Sequence, residues 1–252
     1  MNNHANQARV DVYPDGKVVW KAGGRDHSYL FLSGMHFQTI SARPTNSLTN
    51  FTDGTSIYSV HTQRPIYSVI DGICVVDGSV TVSSWGHLLT LPSDCRPPKT
   101  ITFSLNNDAA QASVDVYSDG RVVWRAGGDD HGWLLLSGMV FQTTSASPTY
   151  LTNFSGAYLA STDTFQRPIY SVIDDICIVD GFILVRSWGH LLTLPPDCRP
   201  SKQIGFSLNN DANQARVDVL SDGRVLCGGG GEATAGFRWK WSFRQLLQVL
   251  PI

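Results

Sequence analysis

The chain has 252 residues, 42% of them apolar and only 16% charged, with a formal net charge of −2. So few charges beside 10% aromatic residues exclude a disordered chain, and the slightly acidic balance leaves no electrostatic footprint for DNA or RNA. No apolar run approaches the ~20 residues of a membrane span, and Met1 leads into Asn2, Asn3 and His4, not into a signal peptide.

Along the chain the apolar period is two. Val10 and Val12 point one way and Arg9, Asp11 and Tyr13 the other, which reads as a half-buried strand. Pro14-Asp15-Gly16 then turns the chain into Lys17-Val18-Val19-Trp20, a hairpin, because Asp tolerates the left-handed region and Gly enters it freely. Residues 35–39, 88–91 and 100–105 supply further short strands. Ile73 to Val76, Asp77-Gly78 and Ser79 to Val82 read as a second hairpin. Ser118-Asp119-Gly120 and Ser221-Asp222-Gly223 repeat the first turn. No window shows a convincing 3.6 period. Roughly eight short strands per ~100 residues predict an all-β chain of antiparallel β-sandwich type, jelly-roll or Greek-key-like.

The chain repeats itself. Residues 2–39 recur at 106–143, offset by 104, and residues 63–105 recur at 166–208, offset by 103. A third copy starts at Asn209 and breaks off after Val225. Recent duplication explains every shared residue, so sharing alone is not evidence of function. Trp85-Gly86-His87, Leu91-Pro92, Arg96-Pro97, Asn106-Asn107, the hairpin 114–124, and the close through Gly127-Gly128, His131, Trp133, Leu136-Ser137-Gly138 and Phe141 together resemble a known module type. It is the β-sandwich module at the C-terminal tips of phage tail-fibre-type proteins, similar also to tandem extracellular repeats of some marine microbial eukaryotes. The resemblance covers about 60–75 residues of each unit, and its motifs are structural, not catalytic. It implies that a module of about 103 residues ends near Gln142-Thr143. The expected division is then 1–45 as the second half of a module, 46–148 as a complete one, 149–227 as an incomplete one and 228–252 as an aberrant tail. A permuted closure of 1–105, with 40–62 as a crossover, stays open.

The tail changes character, from a glycine run to dense Trp, Arg and Phe. Allowed codons for residues 234–245, read one frame over, spell Gly-Trp-Leu-Ser-Leu-Glu-Met-Val-Phe-Gln-Thr. The repeat at 132–143 reads Gly-Trp-Leu-Leu-Leu-Ser-Gly-Met-Val-Phe-Gln-Thr. The hypothesis is a one- or two-base shift near Cys227, which leaves Trp239-Lys240-Trp241 without functional meaning. Coding DNA with an intact frame and codons unlike that string would discard it and make 228–252 a divergent extension.

Chemistry rests on few residues. Cys74 and Cys95 lie 21 apart, as do Cys177 and Cys198, with Cys227 left over. One pair per unit predicts one disulfide per module and an oxidising compartment, the alternative being buried thiols. Without a C-x-x-C pair there is no expected metal site. Asn50-Phe51-Thr52 and Asn153-Phe154-Ser155 are N-glycosylation acceptors at equivalent positions. Asp26, His27 and Tyr29, with their counterparts Asp130, His131 and Trp133, sit on Gly-flanked loops. There a ring could stack on a sugar while polar groups take its hydroxyls; alternatively the ring closes the core and the His caps a turn. Trp85 with His87 and Trp188 with His190 form a second candidate cluster.

The acids mostly occupy Asp-Gly turns (Asp15, Asp77, Asp119, Asp180, Asp222), no G-x-S-x-G elbow occurs, and Gly23-Gly24 and Gly127-Gly128 lack the helix and Lys of a phosphate loop. The expectation is a non-catalytic, secreted or surface-exposed repeat protein without cofactor, acting in adhesion or glycan recognition. Its partners would be surface glycans, neighbouring modules of the same chain and, in a homo-oligomer, further copies. The alternative is a purely architectural fibre or coat repeat.

Overall fold

The computed structural model describes residues 2–3, 6–23, 35–37, 45–58, 62–107, 110–128, 132–159, 163–185, 188–210, 213–230 and 239–248. Among them the fold is all-β, built from antiparallel sheets, and its only helical turns are the 3-10 turns Ser93–Cys95 and Pro196–Cys198. Among the described residues no helix is long and apolar enough to cross a membrane.

The N-terminal segment is a three-stranded sheet of β1 (Asn2–Asn3), β2 (Asn6–Val12) and β3 (Val18–Gly23). Next come β4 (Asn46–Ser47), β5 (Thr55–Ile57), β6 (Ile66–Ile70), β7 (Ile73–Asp77), β8 (Ser79–Val82) and β9 (Gly86–Thr90). They are followed by β10 (Ile101–Asn107), β11 (Ala110–Val116), β12 (Arg121–Gly127), β13 (Trp133–Leu135) and β14 (Met139–Gln142). These strands form three sheets, ordered β10-β11-β12-β9, β14-β7-β6-β4 and β13-β8-β5, whose apolar faces share one core around Val114, Val122, Leu89, Cys74, Leu134 and Phe141. The last part holds β15 (Thr149–Tyr150), β16 (Ala157–Leu159), β17 (Ile169–Ile173), β18 (Ile176–Val185) and β19 (Gly189–Thr193). β20 (Ile204–Asn210), β21 (Asn213–Val219), β22 (Arg224–Gly230) and β23 (Trp239–Gln248) complete a single nine-stranded sheet with a second core.

The Asp-Gly hairpins form as the alternation predicts, three times over. In each, the residue before the turn donates its N–H to the carbonyl four residues on (Tyr13 to Lys17, Tyr117 to Arg121, Leu220 to Arg224), all at 2.9 Å. Gly16, Gly120 and Gly223 carry φ of 84°, 92° and 90°, which only glycine adopts without strain. The Asp carboxylate accepts the backbone N–H two residues later, at 3.1, 3.1 and 3.0 Å. Those bonds hold the Asp119 and Asp222 carboxyls below the ordinary carboxylate range, the backbone N–H of the Arg contributing most and its side chain next. Their support of the turns is therefore complete above that range and fades only as pH falls through the lowered value.

The second expected hairpin is overturned. β7 and β8 do not pair with each other: β7 pairs with β6 and β14, and β8 with β5 and β13. Gly78 (φ 110°) is a kink where the chain passes from one sheet to the next. The true hairpin joins β6 to β7 through Asp71-Gly72, both at positive φ (49° and 78°), as a two-residue primed turn requires. Asp174 and Asp175 do the same between β17 and β18, at 48° and 62°. Hence Asp77 and Asp180 are not turn residues; they are strand residues, 3% and 2% exposed. Three smaller differences accompany this. The described residues of 46–148 hold eleven strands where about eight are expected. Residues 35–37 of the expected strand 35–39 are irregular, with 38 and 39 outside the described residues. Residues 239–248 of the suspected aberrant tail run antiparallel to all of β18, from Ile176↔Gln248 to Val185↔Trp239.

The two cores are joined. Ile73, Val140 and Ile178 are buried together, with Val75, Ile173 and Ile176 packed against them. The backbone N–H of Gln142 donates to the Asp180 carboxylate at 3.3 Å, and the Ser171 hydroxyl donates to Gln142 Oε1 at 3.1 Å. Phe165 stacks on Phe182 at 4.8 Å, beside a parallel bridge between Thr100 and Phe165.

Candidate functional site

The strand carrying one candidate pair, β9, is the end strand of its sheet: it pairs with β12 on one side and is bridged by Phe51 at Leu89 on the other. Its register breaks, since Val122 faces Leu89 while Val123 faces His87, so Leu88 is an extra residue and the strand bulges. His87 spans that bulge: its Nε2 lies 3.0 Å from the Leu89 carbonyl and 3.1 Å from Thr90 Oγ1. A carbonyl only accepts, so Nε2 carries the proton. His190 repeats the brace at 3.1 Å from Leu192 O and 3.0 Å from Thr193 Oγ1, over an equivalent bulge. In both copies this histidine nitrogen is engaged within its own strand.

The tryptophan beside it is presented outward. Trp85 is 61% exposed and Trp188 52%, each followed by a glycine at positive φ (Gly86 127°, Gly189 115°) that lets the chain turn from the loop into the strand. Each is a single large apolar ring that reaches solvent, and its recurrence follows from the duplication.

The glycosylation acceptors arrive at the same strand. The Asn50 carbonyl accepts the Thr90 N–H at 2.9 Å, and the Thr52 N–H and hydroxyl both donate to the Leu88 carbonyl, each at 2.9 Å. In the second copy the Asn153 carbonyl accepts the Thr193 N–H at 2.9 Å and Ser155 N–H donates to Leu191 O at 2.8 Å. Asn50 and Asn153 are exposed. Nothing in the sequence links Asn50 to Trp85 and His87, which are 35 or more positions away; the loop is strapped to β9 mostly by backbone bonds that any residue can make, with the Thr52 hydroxyl added.

The other predicted cluster is described only in part. Asp26, His27, Tyr29, Asp130 and His131 lie outside the described residues. Trp133 sits on β13, in a different sheet from His87, and is half-buried. It stacks with Tyr58 at 6.3 Å between ring centroids, with 14° between the planes, and the Arg9 guanidinium covers it at 5.0 Å. Asn107 Nδ2 donates to its carbonyl. Tyr58 and Arg9 were not legible as partners, since only the fold carries them to Trp133.

Both disulfides form. Cys74 bonds Cys95 and Cys177 bonds Cys198, with Cα atoms 5.3 and 5.2 Å apart and all four residues fully buried. Each ties an inner strand (β7 or β18) to the 3-10 turn after the bulged strand, and together they indicate an oxidising compartment. Cys227 is buried outside either bridge. Among the described residues no group of three His, Cys, Asp or Glu could hold a metal ion. No family model, curated protein or solved structure matches this chain.

Proposed function

We propose that this chain is an extracellular protein of tandem β-sandwich modules, about 103 residues each, that acts in adhesion through glycan recognition. The observation that carries the reading is the exposed tryptophan, Trp85 and Trp188, 61% and 52% exposed where the chain enters the bulged strands β9 and β19. An exposed indole offers the apolar face of a sugar a stacking surface, and the polar Ser84 and His87 flank it in sequence. One such contact is weak. Two on one chain convert the second binding event into an intramolecular one and add avidity without new contacts. The Trp133 cluster supports the reading less, because Arg9 already covers that ring.

The test is a glycan array probed with the whole chain and with the Trp85→Ala/Trp188→Ala double variant. At least a tenfold loss of signal is expected, with thermal stability unchanged, since surface substitutions cost about 0.5 kcal/mol or less. Absence of any glycan signal from the native chain, or an unaltered signal from the variant, would overturn it.

One observation favours the alternative, a purely architectural fibre or coat repeat. The apolar junction of Ile73, Val140 and Ile178, with Gln142 bonded to Asp180, packs the two cores directly against one another. Stacking of that kind suits a stiff rod with no small-molecule site. A chain that binds no glycan but stays extended and rigid in solution scattering fits this second reading.

A further inference from the structure

The two N-glycosylation acceptors share a geometry. Phe51 and Phe154 bridge antiparallel to Leu89 and Leu192, and both rings pack against the cores. Side chains alternate along an extended chain, so the residues flanking each phenylalanine face away from the core together. They are Asn50 with Thr52 and Asn153 with Ser155, the amide and the hydroxyl of each acceptor. Asn50 and Asn153 are exposed and hold β9 and β19 through their backbone carbonyls, which keeps their side chains on the solvent side.

The two copies differ around these acceptors. Asn46-Ser47 stands where the second copy has Thr149-Tyr150. Beyond the acceptor the second copy is one residue shorter, since Thr55 of β5 and Ala157 of β16 take equivalent places opposite Val82 and Val185. Duplication accounts for the shared asparagine, but position 52 has changed, from Thr to Ser155, and the change keeps the hydroxyl. The fold does not demand that hydroxyl in both copies. In the first it lies against the His87 and Leu88 carbonyls. In the second, Ser155 is exposed and the strap is its backbone N–H, to Leu191 O at 2.8 Å. A Thr-to-Ser exchange is the one change at this place that retains an N-glycosylation acceptor.

We propose that Asn50 and Asn153 are N-glycosylated, and that the transfer precedes docking of their loops on β9 and β19. The side-chain amide nitrogen bonds to C1 of the first sugar of a lipid-diphosphate-linked oligosaccharide. The lipid diphosphate leaves with the C1–O electron pair, and one amide proton is released. A transferase must hold the amide and the hydroxyl together. In the docked loop the Thr52 hydroxyl is engaged and the Phe51 ring is packed on the core, so entry into an enzyme cleft would undo the strap. The partners of Thr52 lie 35 and 36 residues later, so a growing chain presents the acceptor before its strap exists. After folding, the glycans stand on the solvent side, where their bulk is tolerated. The two disulfides indicate an oxidising compartment, and a secretory lumen supplies both chemistries. This modification is independent of the glycan-recognition reading.

The test has two arms. The whole chain, secreted from eukaryotic cells, is mapped by peptide mass with and without enzymatic release of N-glycans. One glycan at each asparagine is expected. Asn50→Gln and Asn153→Gln should each remove one, and Ser155→Ala should remove that at Asn153 although the asparagine remains. In the second arm, whole chain made without glycans meets a eukaryotic oligosaccharyltransferase and its lipid-linked donor, with a free acceptor peptide as internal standard. Chain reduced and alkylated at its cysteines should be modified at least about tenfold faster than folded, oxidised chain. A secreted chain bare at Asn50 or Asn153, or a glycan that survives Ser155→Ala, would overturn the sites. Folded chain modified as fast as the alkylated chain would overturn the order of events.

Discussion

Replacing Cys74 and Cys95 together by Ala is expected to lower the unfolding free energy by about 3 kcal/mol, read as a lower denaturant midpoint. The bridge closes a loop of 21 residues and both cysteines are fully buried. Its loss frees the unfolded chain and releases β7 from the 3-10 turn that follows β9, so the β9 edge carrying His87 loosens as well. Cys177→Ala with Cys198→Ala should behave alike in the second core. Intact mass of secreted material should rise on reduction by two hydrogens for each bridge, four in all. Thiols at these positions that alkylate without reductant, or a double variant as stable as the native chain, would contradict both the bridges and the oxidising compartment.

Gly78→Ala should be at least as damaging, about 3 kcal/mol or more. Two costs add. The backbone stands at φ 110°, where an L-residue is strained. A Cβ there would lie 2.5 Å from Arg64 O, 2.6 Å from its carbonyl carbon and 2.7 Å from Pro65 Cα, all backbone atoms that no side-chain rotation can clear. Relief would need residues 64–65 to move off the β7–β8 crossing, which breaks the bond from Ser79 N–H to Gln63 O. Gly181→Ala meets Pro168 Cα at 2.5 Å and should fail in the same way. Gly16→Ala is the control: positive φ but open space, so about 1 kcal/mol from the left-handed backbone alone. If the Gly78 variant unfolds within 0.5 kcal/mol of the native chain, the crossing is not the close approach described.

How much of this was legible from residues can be argued position by position. Period-two alternation and the Asp15-Gly16, Asp119-Gly120 and Asp222-Gly223 turns located three hairpins correctly, because turn chemistry acts over four residues and needs no distant partner. Asp77-Gly78 has the same local chemistry as those turns and misled. Asp71-Gly72, two residues before β7 begins in earnest, was the turn, and Asp77 is a buried strand residue. Two Asp-Gly pairs six residues apart offer the chain two places to reverse, and only the availability of β6, β14, β5 and β13 as partners decides between them.

The candidate site divides in the same way. Trp85 and Trp188 were visible as a candidate pair, yet a tryptophan in a β protein is as readily core as surface; Trp124, one strand away, is 5% exposed. His87 and His190 read as ligand candidates, whereas the fold engages their Nε2 atoms across a bulge that no spacing rule announces.

By itself, then, the sequence determined the all-β class, the duplication, the three Asp-Gly hairpins and the cysteine pairs, since each follows from periodicity, local turn sterics or residue count. Tertiary structure alone decided which sheet each strand joins, that β7 and β8 part at Gly78, that Asp180 reaches Gln142 and that Arg9 covers Trp133. The physical reason is range. Strand pairing and apolar burial are settled by partners dozens of residues away. Asp71-Gly72 and Asp77-Gly78 share their local chemistry, and only distant strands decide which of the two turns the chain.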